Sequence, residues 1–158
     1  DRNNHRIQKF TSAGVFVTKW GTGTQGTGDG QFQSWPNSVA VASDGSVYVA
    51  DTGNHRIQKF TSEGAFISKW GARGTGDGAF DSPHSVAVAS DGSVYVADAN
   101  NNRIQRFTSE GAFVSQWGTE GTGDGEFSWP LGVSVASDGS VYVADYSNNR
   151  IQKFLPGP

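Results

Sequence analysis

The chain contains no cysteine and no methionine. Without cysteine there is no disulfide framework, no thiolate chemistry and no Cys-ligated metal, and the redox compartment stays open. Asp1 stands where an initiator methionine is absent, which fits a processed start, an excised piece of a longer chain or an engineered array. Basic residues are scarce: 12 Lys and Arg stand against 15 Asp and Glu, for a formal net charge of −3. A general nucleic-acid binder needs a basic excess to displace counterions from phosphate, so that class is disfavoured. No apolar run approaches the roughly 18 residues of a membrane span. No charged start followed by an apolar core marks a secretory signal in the chain given. Localisation therefore stays unknown.

Glycine is abundant, at 22 of 158 residues, and it falls at regular places. The pattern DxxNxRIQ(K/R)F begins at Asp1, Asp51, Asp98 and Asp145, so the chain repeats itself. Between these copies, text like SVASDGSVYVAD recurs around Ser43, Ser90 and Ser137. Residues 51–97 and 98–144 are identical at 33 of 47 positions. The first interval is longer by two residues within 21–26 and one before Pro36. Repeats of this period signal a solenoid, propeller or array.

Each unit reads as four short strands. Strand A is expected at Val39–Ala42, Val86–Ala89 and Val133–Ala136, followed by a Ser-Asp-Gly-Ser hairpin turn. Strand B is expected at Val47–Ala50, Val94–Ala97 and Val141–Ala144, strand C at Arg56–Phe60 and strand D at Phe66–Trp70. Glycine-rich linkers such as 71–83 lead to the next strand A, and nothing has helical periodicity. Strands A and B are apolar on both faces, unlike an open antiparallel sheet with one solvated face. Strands C and D carry Gln58, Lys59, Ser68 and Lys69, so polarity rises outward. That gradient suits four-stranded antiparallel blades around an axis.

The runs GTGDGxF…P, VAVASDGSVYVAD and NHRIQKF, in fixed order and repeated over residues 1–154, resemble the NHL repeat. Its triplet is matched at Asn4-His5-Arg6, Asn54-His55-Arg56, Asn101-Asn102-Arg103 and Asn148-Asn149-Arg150. The resemblance implies a β-propeller, usually six-bladed. It also brings related activities into view: a lyase acting on amidated-peptide precursors, and RNA binding. One departure is that Ala42, Ala89 and Ala136 stand where many such repeats end strand A in aspartate, which removes a ring of inner carboxylates.

The fold class expected is therefore all-β, a propeller of about three blades in one repeat array covering 1–158. Strands C and D lie in 1–20, full blades in 36–70 and 83–117, and strands A to C in 130–154. Three blades are fewer than the roughly four to eight of a closed propeller, so two chains are expected to close a six-bladed ring. Two such chains carry one surplus strand each, and it is a strand C, from either Arg6–Phe10 or Arg150–Phe154. Strand D of one chain would complete the unfinished blade of the other. The C-terminal copy is favoured because it continues its own meander through a short loop. The self-association residues expected are Arg6, Ile7, Phe10, Phe16, Trp20, Ile151 and Phe154.

Residue chemistry points away from catalysis. Asp-x-x-Asn-x-Arg occurs in every copy, as a building role requires and a single active site does not; Arg56 can fork to Asp51 or to a neighbouring blade. The Gly-Asp-Gly segments lead into strands, where a phosphate loop would lead into a helix. His5, His55 and His84 lack metal-ligand spacing and read as exposed loop residues, so no metal or cofactor is expected. Trp20, Trp70 and Trp117 end strand D and read as packing between blades. Trp35 and Trp129 precede linker prolines where the middle copy has Ser82, and the residues after those prolines differ: Asn37, His84 and Leu131. Arg73 and Glu120 differ in sign at one linker position. Diversity on a constant scaffold marks Trp35, Asn37, Arg73, His84, Trp129 and Leu131 as candidate ligand contacts. The reading is a non-catalytic scaffold for a peptide or protein and for self-assembly. The alternatives are an array without a ligand and a lyase-type or RNA-binding propeller.

Overall fold

The computed structural model describes residues 1–155. Its strands are β1 (Ile7–Phe10), β2 (Phe16–Trp20), β3 (Pro36–Val41), β4 (Val47–Asp51), β5 (Arg56–Phe60), β6 (Phe66–Trp70) and β7 (Pro83–Val88). They continue as β8 (Val94–Asp98), β9 (Arg103–Phe107), β10 (Phe113–Trp117), β11 (Pro130–Val135), β12 (Val141–Asp145) and β13 (Arg150–Phe154). The pairings between these strands are antiparallel meanders, giving sheets β1–β2, β3 to β6, β7 to β10 and β11 to β13. No helix among the described residues is long and apolar enough to cross a membrane. Among the described residues the only helical pieces are one-turn 3₁₀ segments such as Thr52–Asn54.

Strand A begins earlier than expected, at Pro36, Pro83 and Pro130. Each proline pairs with the aspartate ending strand B, and a bulge then resets the register. Proline is tolerated there because a first strand residue gives up no ladder hydrogen bond.

The Ser-Asp-Gly-Ser hairpins close as their residues dictate. Gly45, Gly92 and Gly139 sit at φ of 85°, 85° and 83°, and Asp44 Oδ1 accepts the Ser46 amide at 2.8 Å. The same backbone bonds, from Ser46, Ser93 and Ser140, hold the carboxyls of Asp44, Asp91 and Asp138 below the usual range. A depressed folded pKa stabilises the fold above the unfolded value of about 3.9 and loses that effect as pH falls through the folded value. Replacing all three aspartates by asparagine should lower the melting temperature near pH ~6 and leave it unchanged near pH ~2. Parallel melting curves across that range would show that the turn carboxylates contribute nothing.

The core lies between sheets. Tyr48, Ala50 and Ile57 of one sheet meet Val86, Val94, Val96 and Phe107 of the next, and Tyr95, Ala97 and Ile104 meet Val133, Val141 and Val143 in the same way. Each linker drops a phenylalanine into the seam; Phe32, Phe80 and Phe127 are fully buried. Trp20, Trp70 and Trp117 cross to the next sheet, with ring centroids 6.0, 5.9 and 5.5 Å from Phe60, Phe107 and Phe154. Gly118, at φ of 100°, leaves the room that Phe127 occupies, since a Cβ there would meet the ring. Val96 is fully buried, and Val96→Ala should cost ~1–2 kcal/mol. Lys69, paired only with the exposed Asp29, should tolerate alanine within about 0.5 kcal/mol. Denaturant midpoints compare the two, and equal shifts would contradict the radial order.

The repeated polar motif is a clasp. In the second full blade, Asp98 Oδ2 accepts Asn101 Nδ2 (2.9 Å), Arg103 Nε (2.7 Å) and Gln105 Nε2 (3.1 Å). The Arg103 guanidinium then donates to the linker carbonyls of Thr75, Gly76 and Ala79 at 2.7 to 2.9 Å. Asp51 with Arg56 and Asp145 with Arg150 repeat the arrangement. Gln58 corrects the outward polarity gradient: it is fully buried, because its amide links Asp51 to the Gln31 carbonyl and the Gly30 N–H. Burial pushes the Asp51 and Asp98 carboxyls up, whereas hydrogen bonds hold Asp145 down. Asp51 Oδ1 is buried without a partner. Asp98 and Asp145 use that oxygen for the Asp81 and Ser128 amides, and the extra residue before Pro36 carries the equivalent amide away.

Candidate functional site

Two features stand apart from the blade architecture. The first is a cleft of about 260 Å³ where the linkers enter strands β3, β7 and β11. Arg2, Trp35, Asn37, His84, Trp129 and Leu131 line it. Five of the six candidate ligand contacts thus share one cleft. Arg73 does not join them: it projects into solvent from the preceding linker, with its Nε 3.6 Å from Asp81.

The linker residues before the prolines are left-handed, with φ of 74° at Trp35, 56° at Ser82 and 56° at Trp129. A non-glycine residue held there is strained and needs its surroundings to fix it. The triplet histidine and asparagine do so. His55 Nδ1 accepts the Ser82 amide at 3.1 Å, and Asn102 Oδ1 accepts the Trp129 amide at 2.8 Å. These positions are therefore not the free loop residues that the sequence suggests. His5, facing the longer linker, has a buried Nδ1 without a partner. His84 is also partly buried, its Nδ1 3.0 Å from the Leu131 carbonyl of the next blade. Between the exposed rings of Trp35 and Trp129 the middle copy has only Ser82, which leaves the cleft open. Among the described residues, no three His, Asp or Glu side chains cluster as a metal set would.

The second feature is the pair of end sheets. Val39 is 52% exposed while its equivalents Val86 and Val133 are 4% and 8%, because β1–β2 supplies no inner strands to cover it. Ile151 is 66% exposed while Ile57 and Ile104 are fully buried. Tyr142 is likewise uncovered where Tyr48 and Tyr95 are buried. Of the expected association residues, Phe10, Phe16 and Ile151 are exposed, whereas Ile7, Trp20 and Phe154 already pack within the chain. Among the described residues Arg6 has only Asp1 as its ionic partner, at 2.7 Å. Val39, Val41 and Tyr142 escaped sequence reasoning, although comparing each copy with its missing neighbour would have marked them.

Solved structures share this fold. A streptogramin B lyase superposes with a TM-score of 0.67 at 15% identity, over 98% of this chain and 49% of that one. The virginiamycin B lyase of Staphylococcus aureus gives 0.62 at 16%, over 99% and 51%. An auxiliary nutrient binding protein from Bacteroides thetaiotaomicron gives 0.69 at 17%, over 96% and 43%. The chain spans about half the length of these relatives, and identity this low carries the fold alone. Comparison with curated protein sequences finds no match. The NHL repeat model matches residues 34–60, 80–107 and 127–154. With more than half of its residues matched in three successive copies, each built as an antiparallel blade, the chain belongs to the NHL-repeat family.

Proposed function

We propose that the chain is a non-catalytic binding scaffold that closes a six-bladed ring with a second copy of itself and offers the rim cleft to a peptide or protein. The observation carrying this reading is the complementarity of its two ends. The uncovered Tyr142 and Ile151 belong to the face that, one blade earlier, packs on Val133 and its neighbours; Val39 is the equivalent valine at the other end. Strand β13 has the sequence of Arg6–Phe10 and an open edge, so β2 of a second copy can pair with it as it pairs with β1. Arg150 and Gln152 already hold the linker carbonyls of their own blade, which favours retention of β13 in the junction.

Light scattering tests the ring. A discrete mass near twice 16.7 kDa supports it, and a monodisperse monomer at micromolar concentration overturns it. A lyase is the competing reading, because two neighbours carry that name and His84 faces the cleft. Turnover of virginiamycin B that disappears with His84→Ala would replace the binding reading.

A further inference from the structure

Two unused acceptors lie on the cleft floor. Asn37 donates its amide to Thr52 Oγ1 at 2.9 Å, which leaves its Oδ1 to accept. A carbonyl only accepts, so His84 Nδ1, 3.0 Å from Leu131 O, carries the proton. A neutral imidazole with that tautomer has a bare lone pair on Nε2. Three nearby donors are engaged. Thr52 donates to the Pro83 carbonyl at 2.7 Å, Ser82 to Asp81 at 3.3 Å, and the Trp129 indole to Asn100 at 3.0 Å. Asn37 Oδ1 and His84 Nε2 thus stand as acceptors beside the rings of Trp35 and Trp129, which are 47% and 48% exposed.

Lone pairs beside aromatic faces suit a ligand group that is cationic and only donates, an ammonium or a guanidinium. Among the described residues, the one cation lining the cleft already behaves this way. The Arg2 guanidinium lies 4.3 Å from the centre of the Trp35 ring. It reaches that ring from the one-turn segment Arg2–Asn4, which buries no residue. The chain's net charge of −3 adds a field of the matching sign.

We propose that the rim cleft receives a basic side chain, an arginine or lysine of a peptide or protein partner, and that Arg2 is its internal competitor. The inference rests on the rim being the binding face, and Arg2 competes only while β1 stays paired with β2, because a ring that retains β13 gives that edge to the second copy. An incoming guanidinium replaces Arg2 over Trp35 and donates to Asn37 Oδ1 and His84 Nε2. Arg2 thus keeps the aromatic face covered until a more strongly bound cation arrives, and removing it raises affinity.

The test titrates acetyl-Gly-Arg-Gly-amide and acetyl-Gly-Glu-Gly-amide into the whole chain and its Arg2→Ala variant, followed by tryptophan fluorescence and calorimetry. The arginine peptide is expected to bind Arg2→Ala about tenfold more tightly than the parent, the scale of one desolvated cation–π contact. Adding Trp35→Ala or His84→Phe to Arg2→Ala should remove most of that gain, with thermal melting confirming that each variant folds. Equal affinity of the arginine peptide for parent and Arg2→Ala overturns the proposal. So does tighter binding of the glutamate peptide that vanishes with Arg2→Ala, which would make Arg2 an anion receptor while leaving the rim a binding face. Failure of both peptides to bind overturns the cation site, and failure across a broader peptide panel overturns the rim reading with it.

Discussion

Val39→Lys is expected to halve the mass of the associated chain while leaving a folded monomer. Val39 is already half exposed in a single chain, so lysine there should change the chain's own stability by no more than about 0.5 kcal/mol. In the ring the same charge would be buried against the Tyr142 and Ile151 face of the second copy without a partner. That should raise the dissociation constant at least about 100-fold, or ~2.7 kcal/mol. Val86→Lys supplies the internal control. Val86 occupies the equivalent position but is only 4% exposed, so its replacement should unfold the chain. Sedimentation and thermal melting separate the two outcomes. A Val39→Lys chain that keeps twice the monomer mass would show that the ends are not the contact.

Arg103→Ala should be the most damaging polar substitution, costing ~3–5 kcal/mol. It leaves the fully buried Asp98 carboxylate without its cation and strips the donors from three linker carbonyls. The same change at Arg6 should cost less than about 0.5 kcal/mol, because that guanidinium is partly exposed and pairs only with Asp1. Midpoints of denaturant unfolding give the comparison directly. Faster amide exchange over 75–79 in Arg103→Ala would locate the loss in the linker. Equal, small shifts for both arginines would mean that the clasp does not hold linker to blade.

The strands were legible because they rest on local chemistry. Asp-Gly turns, alternating valines and the period of DxxNxRIQ(K/R)F place every strand in the chain, with strand A alone beginning earlier at Pro36, Pro83 and Pro130. The meander order follows from short connections between consecutive strands. The family was legible for the same reason, since its motifs are the turn, strand and clasp residues themselves. Trp35, Asn37, His84, Trp129 and Leu131 could be singled out because they vary where the scaffold repeats.

What the sequence determined by itself was the unit: a four-stranded antiparallel blade, its order, and its repetition. Neighbours along the chain set those features, and neighbours are written in the sequence. The tertiary structure alone decided which residues meet across blades. It buried Gln58 between a carboxylate and a linker and brought His84 to the Leu131 carbonyl. It turned the triplet histidine into a linker clamp and sent Arg73 away from the cleft. It left Val39 bare where Val86 is covered, although the two stand at the same place in nearly the same text. Those outcomes depend on what stands on the far side of a seam, which no residue's own position in its repeat can specify.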